Sequence, residues 1–124
     1  MIVNLDIDSQ VPIYEQLKIQ IIKGVLSGGL SHLEQLPSVR QLSSDLGINM
    51  HTVNKVYKIL ENEGYLAINK KKGAFINVDL NKVKANYDEE SLLESIELNS
   101  MIYKLVNGHK DNLTNLINKT WEMK

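Results

Sequence analysis

The chain has 124 residues, of which 43% are apolar and 23% charged, with a formal net charge of -1, two prolines and no cysteine. That length suffices for one domain and a small appendage, burying roughly two thirds of the unfolded surface, and argues against a second large domain. The missing cysteines exclude a disulfide scaffold and thiol chemistry. No apolar run approaches the roughly 20 residues of a membrane helix, and the N-terminus lacks a charged leader followed by an apolar core, so the expectation is a soluble, cytoplasmic protein.

At the start, Val3, Leu5 and Ile7 alternate with Asn4, Asp6 and Asp8, the pattern of a half-buried strand. Pro12 suits the first turn of a helix. Residues Ile13 to Leu26 offer Leu17, Ile21, Ile22, Val25 and Leu26 as its inward face before Gly28-Gly29 interrupts it. The next helix begins at Ser38, behind an extended Pro37, with Ser38 and Gln41 at capping-box spacing. Val39, Leu42 and Leu46 give it an apolar stripe. Gly47 ends it, Ile48 plugs the turn and Asn49 caps the following helix.

From Met50 to Gly64 the apolar face is Val53, Val56, Tyr57 and Leu60, and His51, Asn54, Lys55 and Lys58 line the opposite face. Asn pairs bidentately with adenine, Lys and His donate to guanine, and the Thr52 methyl or hydroxyl suits thymine or phosphate. Alone, such a face is equally a solvated helix surface. Tyr65 to Ile68 and Ala74 to Val78 then read as two short strands joined by Asn69-Lys70-Lys71-Lys72-Gly73. Three adjacent lysines repel one another and favour a nearby phosphate backbone or minor groove, against the alternative of a solubilising loop. Turn helix, polar helix and basic hairpin together imply a winged helix-turn-helix, and with it DNA. Charge agrees: Ser38 to Gly73 holds six basic residues against three acidic, whereas residues 79–124 hold six lysines against eight acids.

Asp79 to Tyr87 is polar and reads as a linker. Asp88 to Asn107 then reads as a helix with acids at its start, where the helix dipole favours them. Leu92, Leu93, Ile96, Leu98, Met101, Ile102, Leu105 and Val106 cover far more than one stripe of it. After Gly108, a second helix from Asp111 carries Leu113, Leu116, Ile117 and Trp121 at helical spacing. Two such helices cannot shield this surface alone, and some 46 residues is near the lower limit for independent folding. The expectation is a homodimer whose interface draws on Leu92, Ile96, Met101, Ile102, Leu105, Leu113, Leu116, Ile117 and Trp121. The alternative is a tail folded back over its own winged domain. The predicted architecture is therefore mainly α with a small β-wing: a winged helix-turn-helix over residues 1–78 and a two-helix dimerisation hairpin over 79–124.

Leu36-Pro37-Ser38-Val39-Arg40-Gln41-Leu42, Leu46-Gly47-Ile48, Thr52-Val53, Leu60-Glu61-Asn62-Glu63-Gly64-Tyr65-Leu66 and Gly73-Ala74-Phe75-Ile76 stand in the order of the GntR family of bacterial transcription regulators, whose DNA-binding domain the span Pro12 to Ile76 resembles. Pro12 to Leu17, Asn49 to Tyr57 and the short helical tail resemble the YtrA-type subgroup, whose members often repress nearby transporter operons. The resemblance implies that Arg40 contacts DNA and that Met50, His51, Thr52 and Asn54 read bases. Many members carry arginines where this chain has Met50 and Asn54, and a Gly-x-Gly wing tip where it has Lys71 to Gly73. The expected DNA-binding set is Ser38, Arg40, Met50, His51, Thr52, Asn54, Lys55, Lys58, Lys70, Lys71, Lys72 and Gly73, and the partner is a double-stranded operator.

His32, His51 and His109 lack ligand partners at metal-site spacing, and no phosphate loop or nucleophile-base pair is present, so neither metal, cofactor nor enzymatic activity is expected. Trp121 and Tyr103 suit a small-molecule pocket, though core or dimer packing is the commoner use of such residues. The competing functional reading is a winged-helix module whose polar helix contacts protein.

Overall fold

The computed structural model describes residues 4–123, and the chain divides into two compact units between Asn86 and Tyr87. The first holds helices α1 (Ile13–Ser27), α2 (Val39–Leu46) and α3 (Met50–Asn62), strands β1 (Leu66–Asn69) and β2 (Gly73–Ile76), and a short α4 (Leu80–Ala85). The second holds α5 (Glu89–Leu105) and α6 (Lys110–Glu122). The architecture is mainly helical with one two-stranded antiparallel sheet, a winged helix-turn-helix followed by a helical hairpin.

Helices α1, α2 and α3 each bury the centre of the stripe that their periodicity predicts. Leu17 and Ile21 of α1, Leu42 of α2, and Val53, Val56, Tyr57 and Leu60 of α3 meet Leu36, Leu66, Ala74 and Ile76 in one core. Of the expected α1 face, Ile22 and Val25 are half-buried and Leu26 is exposed. Deleting a side chain as enclosed as Leu17, Ile21 or Leu60 leaves a cavity costing about 2–5 kcal/mol.

The N-terminal segment departs from expectation. Val3 lies outside the described residues, and Asn4 to Asp8 form no strand. Two glutamines one turn apart on α1 engage its backbone instead. Gln16 accepts the Asp6 N–H through Oε1 at 2.8 Å and donates Nε2 to the Asp6 carbonyl at 2.9 Å. Gln20 donates to the Asn4 carbonyl at 2.6 Å and accepts its N–H at 3.4 Å. These side-chain amides pair the backbone of Asn4 and Asp6 where a neighbouring strand would otherwise do so, and the chain turns at Ile7 and Asp8.

A further difference is an added strand-like segment. Leu33 to Leu36 runs antiparallel to β2, with Gln35 paired to Phe75. The Leu36 N–H donates to Ala74 O at 2.8 Å and the Ile76 N–H to Glu34 O at 2.8 Å. Leu33 enters it at φ 68°, a left-handed conformation that costs a non-glycine residue roughly 1–2 kcal/mol.

The expected linker is partly helical, and its residues Asp79 to Asn86 belong to the first unit. Asp79 accepts the N–H groups of Asn81 and Lys82 and so starts α4. Its own N–H donates to Gly64 O at 2.8 Å. Gly64 has φ +96°, and a Cβ there would lie 2.7 Å from both Asp79 O and Lys82 Cβ. Gly64 therefore both ends α3 and admits α4. The strands also shift from Tyr65–Ile68 and Ala74–Val78 to Leu66–Asn69 and Gly73–Ile76.

In the second unit, the Asp88 carboxylate accepts the Glu90 N–H and the Ser91 hydroxyl, and the hydroxyl contact holds its pKa below the usual carboxylate range. Gly108 turns the chain so closely against the Tyr103 ring that a Cβ there would clash with it. Asn112 Nδ2 reaches the Tyr103 hydroxyl at 3.0 Å.

Two outcomes follow for stability in chemical denaturation. Gly64→Ala loses more than about 2 kcal/mol, combining backbone strain with a backbone clash. At Leu33, which is 58% exposed, the order of stability is Gly at least equal to Leu, and both above Val, because a branched Cβ tolerates positive φ least. A Leu33→Val chain as stable as the unsubstituted one would refute the strain.

Candidate nucleic-acid interface

The site is built around the two faces of α3. Its buried side includes Tyr57, which is 1% exposed and whose hydroxyl donates to the Pro37 carbonyl at 2.7 Å. Burial pushes the phenol pKa far above its ordinary value, so it remains a donor. That bond ties α3 to the residue preceding the α2 cap. Ser38 Oγ accepts the Gln41 N–H at 2.9 Å, fixing the first turn of α2. The reciprocal half of a capping box is absent, because Gln41 Nε2 donates instead to Asp45 Oδ1 at 2.7 Å.

Gly47 terminates α2 at φ +67°, and the Ile48 N–H donates to Ser43 O at 3.1 Å. Ile48 is half-buried against the core, so the turn is plugged as its sequence suggests. Asn49 Oδ1 then accepts the His51 N–H at 2.7 Å and opens α3. Met50, His51, Thr52, Lys55 and Lys58 are exposed, and Asn54 is half-buried. Arg40 is exposed on α2, and Ser38 is exposed with its hydroxyl engaged as a cap.

At the far end, α3 is fastened to its neighbours. Glu61 Oε2 accepts the Ile68 N–H at 2.9 Å, linking the helix to β1. Glu63 accepts the Tyr14 hydroxyl and pairs with Lys18 Nζ at 3.0 Å. The Lys18 ammonium also lies 5.5 Å from the Tyr14 ring centre and 5.4 Å from that of Tyr65. Sequence reasoning missed this cluster. Its signal was Tyr14 and Lys18 at i, i+4 on a helix, with its acid remote in sequence.

Asn69 pairs with Gly73 at the end of the hairpin, leaving Lys70, Lys71 and Lys72 as an exposed three-residue tip. Gly73 has φ +73°, which closes this short loop without strain. Beside it lies a cleft of about 400 Å³ lined by Leu33, Gln35, Asn69, Lys71, Lys72 and Phe75. The first unit thus carries a helix with an exposed polar opening, Arg40 on the preceding helix and a cationic hairpin tip. Such a surface is suited to a polyanion with a groove.

Comparison with known proteins gives the surface its context. The family described as "Bacterial regulatory proteins, gntR family" matches residues 10–76. The chain is 37% identical over 75 residues, 60% of its length, to the HTH-type transcriptional repressor YtrA of Bacillus subtilis, and the match covers 58% of that protein. Curated relatives of this kind are matched over only 58% to 61% of their length. Among solved structures, YtrA from Sulfolobus acidocaldarius, a GntR-family transcription factor, is 32% identical with a TM-score of 0.58, over 82% of this chain and 99% of that one. A protein described as a transcriptional antiterminator from Listeria monocytogenes EGD-e is 29% identical with a TM-score of 0.68, over 98% of this chain and 91% of that one.

Tyr57→Phe tests the tie between α3 and α2. Removing the hydroxyl leaves the Pro37 carbonyl without its donor and lowers stability by about 1–2 kcal/mol. Amide exchange should accelerate around residues 38–42 more than in α1, and a uniform acceleration would show that the bond has no local role.

Proposed function

The chain belongs to the gntR family of bacterial regulatory proteins and is of its YtrA type, and on that premise we propose that it is a sequence-specific transcriptional repressor that binds an inverted-repeat operator as a cytoplasmic homodimer. The observation that carries this reading is the two-faced α3, buried through Val53, Val56, Tyr57 and Leu60 while Met50, His51, Thr52 and Lys55 are exposed at its start. In this reading α3 enters the major groove. His51, Thr52, Asn54 and Lys55 choose bases, with Met50 offering apolar contact. Arg40, Ser38, Lys58, the wing lysines and Gly73 set register on the phosphates and the adjoining minor groove.

The tail supports the dimer. Leu92, Ile96, Met101, Ile102, Leu105, Leu116, Ile117 and Trp121 are all exposed, and Leu113 is half-buried. Trp121 and Leu105 are each 81% exposed, an unusual state for such large apolar groups. A second copy covers this surface with the same residues under two-fold symmetry. Two recognition helices so related meet major-groove segments one or two helical turns apart, hence an inverted repeat. The resemblance to the YtrA type directs the search for targets to transporter operons near the gene.

Selection from a random duplex pool, with affinities measured at two salt concentrations, tests the proposal. The expected result is an enriched inverted repeat whose affinity falls steeply with salt. Salt-insensitive binding without enrichment would point instead to a protein partner for α3. Asn54→Ala should relax base preference at one position per half-site at a cost of about 1–3 kcal/mol, whereas Lys71→Ala should weaken all sequences alike and reduce the salt slope by about 1. The reverse pattern overturns these assignments. Ile102→Lys with Leu105→Lys should give a folded monomer by analytical ultracentrifugation and lose most affinity for the full repeat while keeping that for a half-site.

A further inference from the structure

The wing tip is held from two sides by uncharged side chains. Asn69 Oδ1 accepts the Lys71 N–H at 2.7 Å and the Lys72 N–H at 3.4 Å. Gln35 Nε2 donates to the Lys72 carbonyl at 2.8 Å. Both backbone groups of Lys72 are thus engaged, one by the hairpin itself and one by a residue 37 positions away in sequence. Gln35 is itself anchored, because its backbone is paired with Phe75 and its neighbours bond to Ala74 and Ile76.

This tethering opposes a specific force. Three ammonium groups on consecutive residues repel one another by roughly 1 kcal/mol per close pair in water, which drives an untethered loop to open. Fixing the backbone keeps the array in one arrangement before any anion arrives, so less ordering is required on binding.

We infer that Gln35 and Asn69 are positioning residues for the wing: they preorganise the Lys70 to Lys72 array and raise DNA affinity without themselves contacting phosphate. The inference rests on the DNA-binding reading above and identifies how that surface holds its cations without the Gly-x-Gly tip. In the bound complex the lysines neutralise the same phosphates whether or not the loop was ordered beforehand. Loss of a tether therefore lowers affinity while leaving the salt slope unchanged, whereas loss of a lysine changes the slope.

The test compares the full chain with Gln35→Met, Asn69→Ala, Asn69→Ser and Lys71→Ala, measuring affinity for the selected duplex across salt concentrations and amide exchange in the free proteins. Gln35→Met keeps length and neutrality while removing the donor. The expected result is about a 3- to 10-fold affinity loss for Gln35→Met and Asn69→Ala at every salt concentration, with the slope of the unsubstituted chain. Asn69→Ser should fall between, since a hydroxyl accepts the same amides more weakly. Exchange should accelerate at Lys71 and Lys72 in Asn69→Ala, with melting temperature and the amides of α3 unchanged. Slopes reduced as in Lys71→Ala would mean direct phosphate contact and would overturn the positioning role. Unchanged affinity beside a weakened Lys71→Ala would overturn it while leaving the DNA reading intact. Failure of the unsubstituted chain to bind any duplex would overturn both.

Discussion

Tyr57 fixes the geometry on which the rest of the first unit depends. It lies among the largest fully buried side chains, and its hydroxyl reaches back to Pro37, immediately before the Ser38 cap of α2. A single side chain therefore sets how far the start of α2, with Arg40, stands from the body of α3. Packing supplies the force: Val53, Val56 and Leu60 flank Tyr57 on the buried stripe and hold α3 against Leu17 and Ile21. A helix so committed on one side has no freedom to roll, and its opposite side is presented at a fixed pitch. Loose packing would blur that presentation before it unfolded the domain.

The helical part of this arrangement was legible because its signals are local. The 3.6-residue stripes gave α1, α2 and α3, Gly47 gave the turn, and Ser38 and Asn49 gave the caps. Illegible features depend on partners remote in sequence. Leu33 to Leu36 becomes strand-like only because β2 offers an edge, and Leu33 adopts positive φ where nothing in its type asks for it. Val3 to Asp8 has the right alternation for a strand, yet Gln16 and Gln20 take up the backbone of its described part. Asp79 was visible as a polar residue in a polar stretch, while its role as the cap of α4 needed Gly64 to leave space. For the site, the exposed residues of α3 and the wing lysines followed from the pattern, and the side chains that steady them did not.

Charge distribution matters more than net charge. The chain is near neutral, yet the segment holding α3 and the wing is positive by three, and residues 79–124 are negative by two. The two compact units thus divide the work by chemistry. One exposes hydrogen-bonding groups and cations suited to a polyanion, and the other exposes aliphatic groups and Trp121, suited to a further protein surface. In the second unit α5 is apolar around more than one face, and no residue of α5 or α6 is fully buried.

The central claim is that α3 and the wing form one DNA-reading surface already built in the free protein. Amide chemical-shift mapping with isotopically labelled chain and a selected duplex tests it most directly. Shifts concentrated at Arg40, Met50 to Lys58 and Lys70 to Gly73, with the core amides of α1 unmoved, are the predicted result. Shifts centred on α1, on α4 or on the tail, with α3 and the wing unaffected, would contradict it.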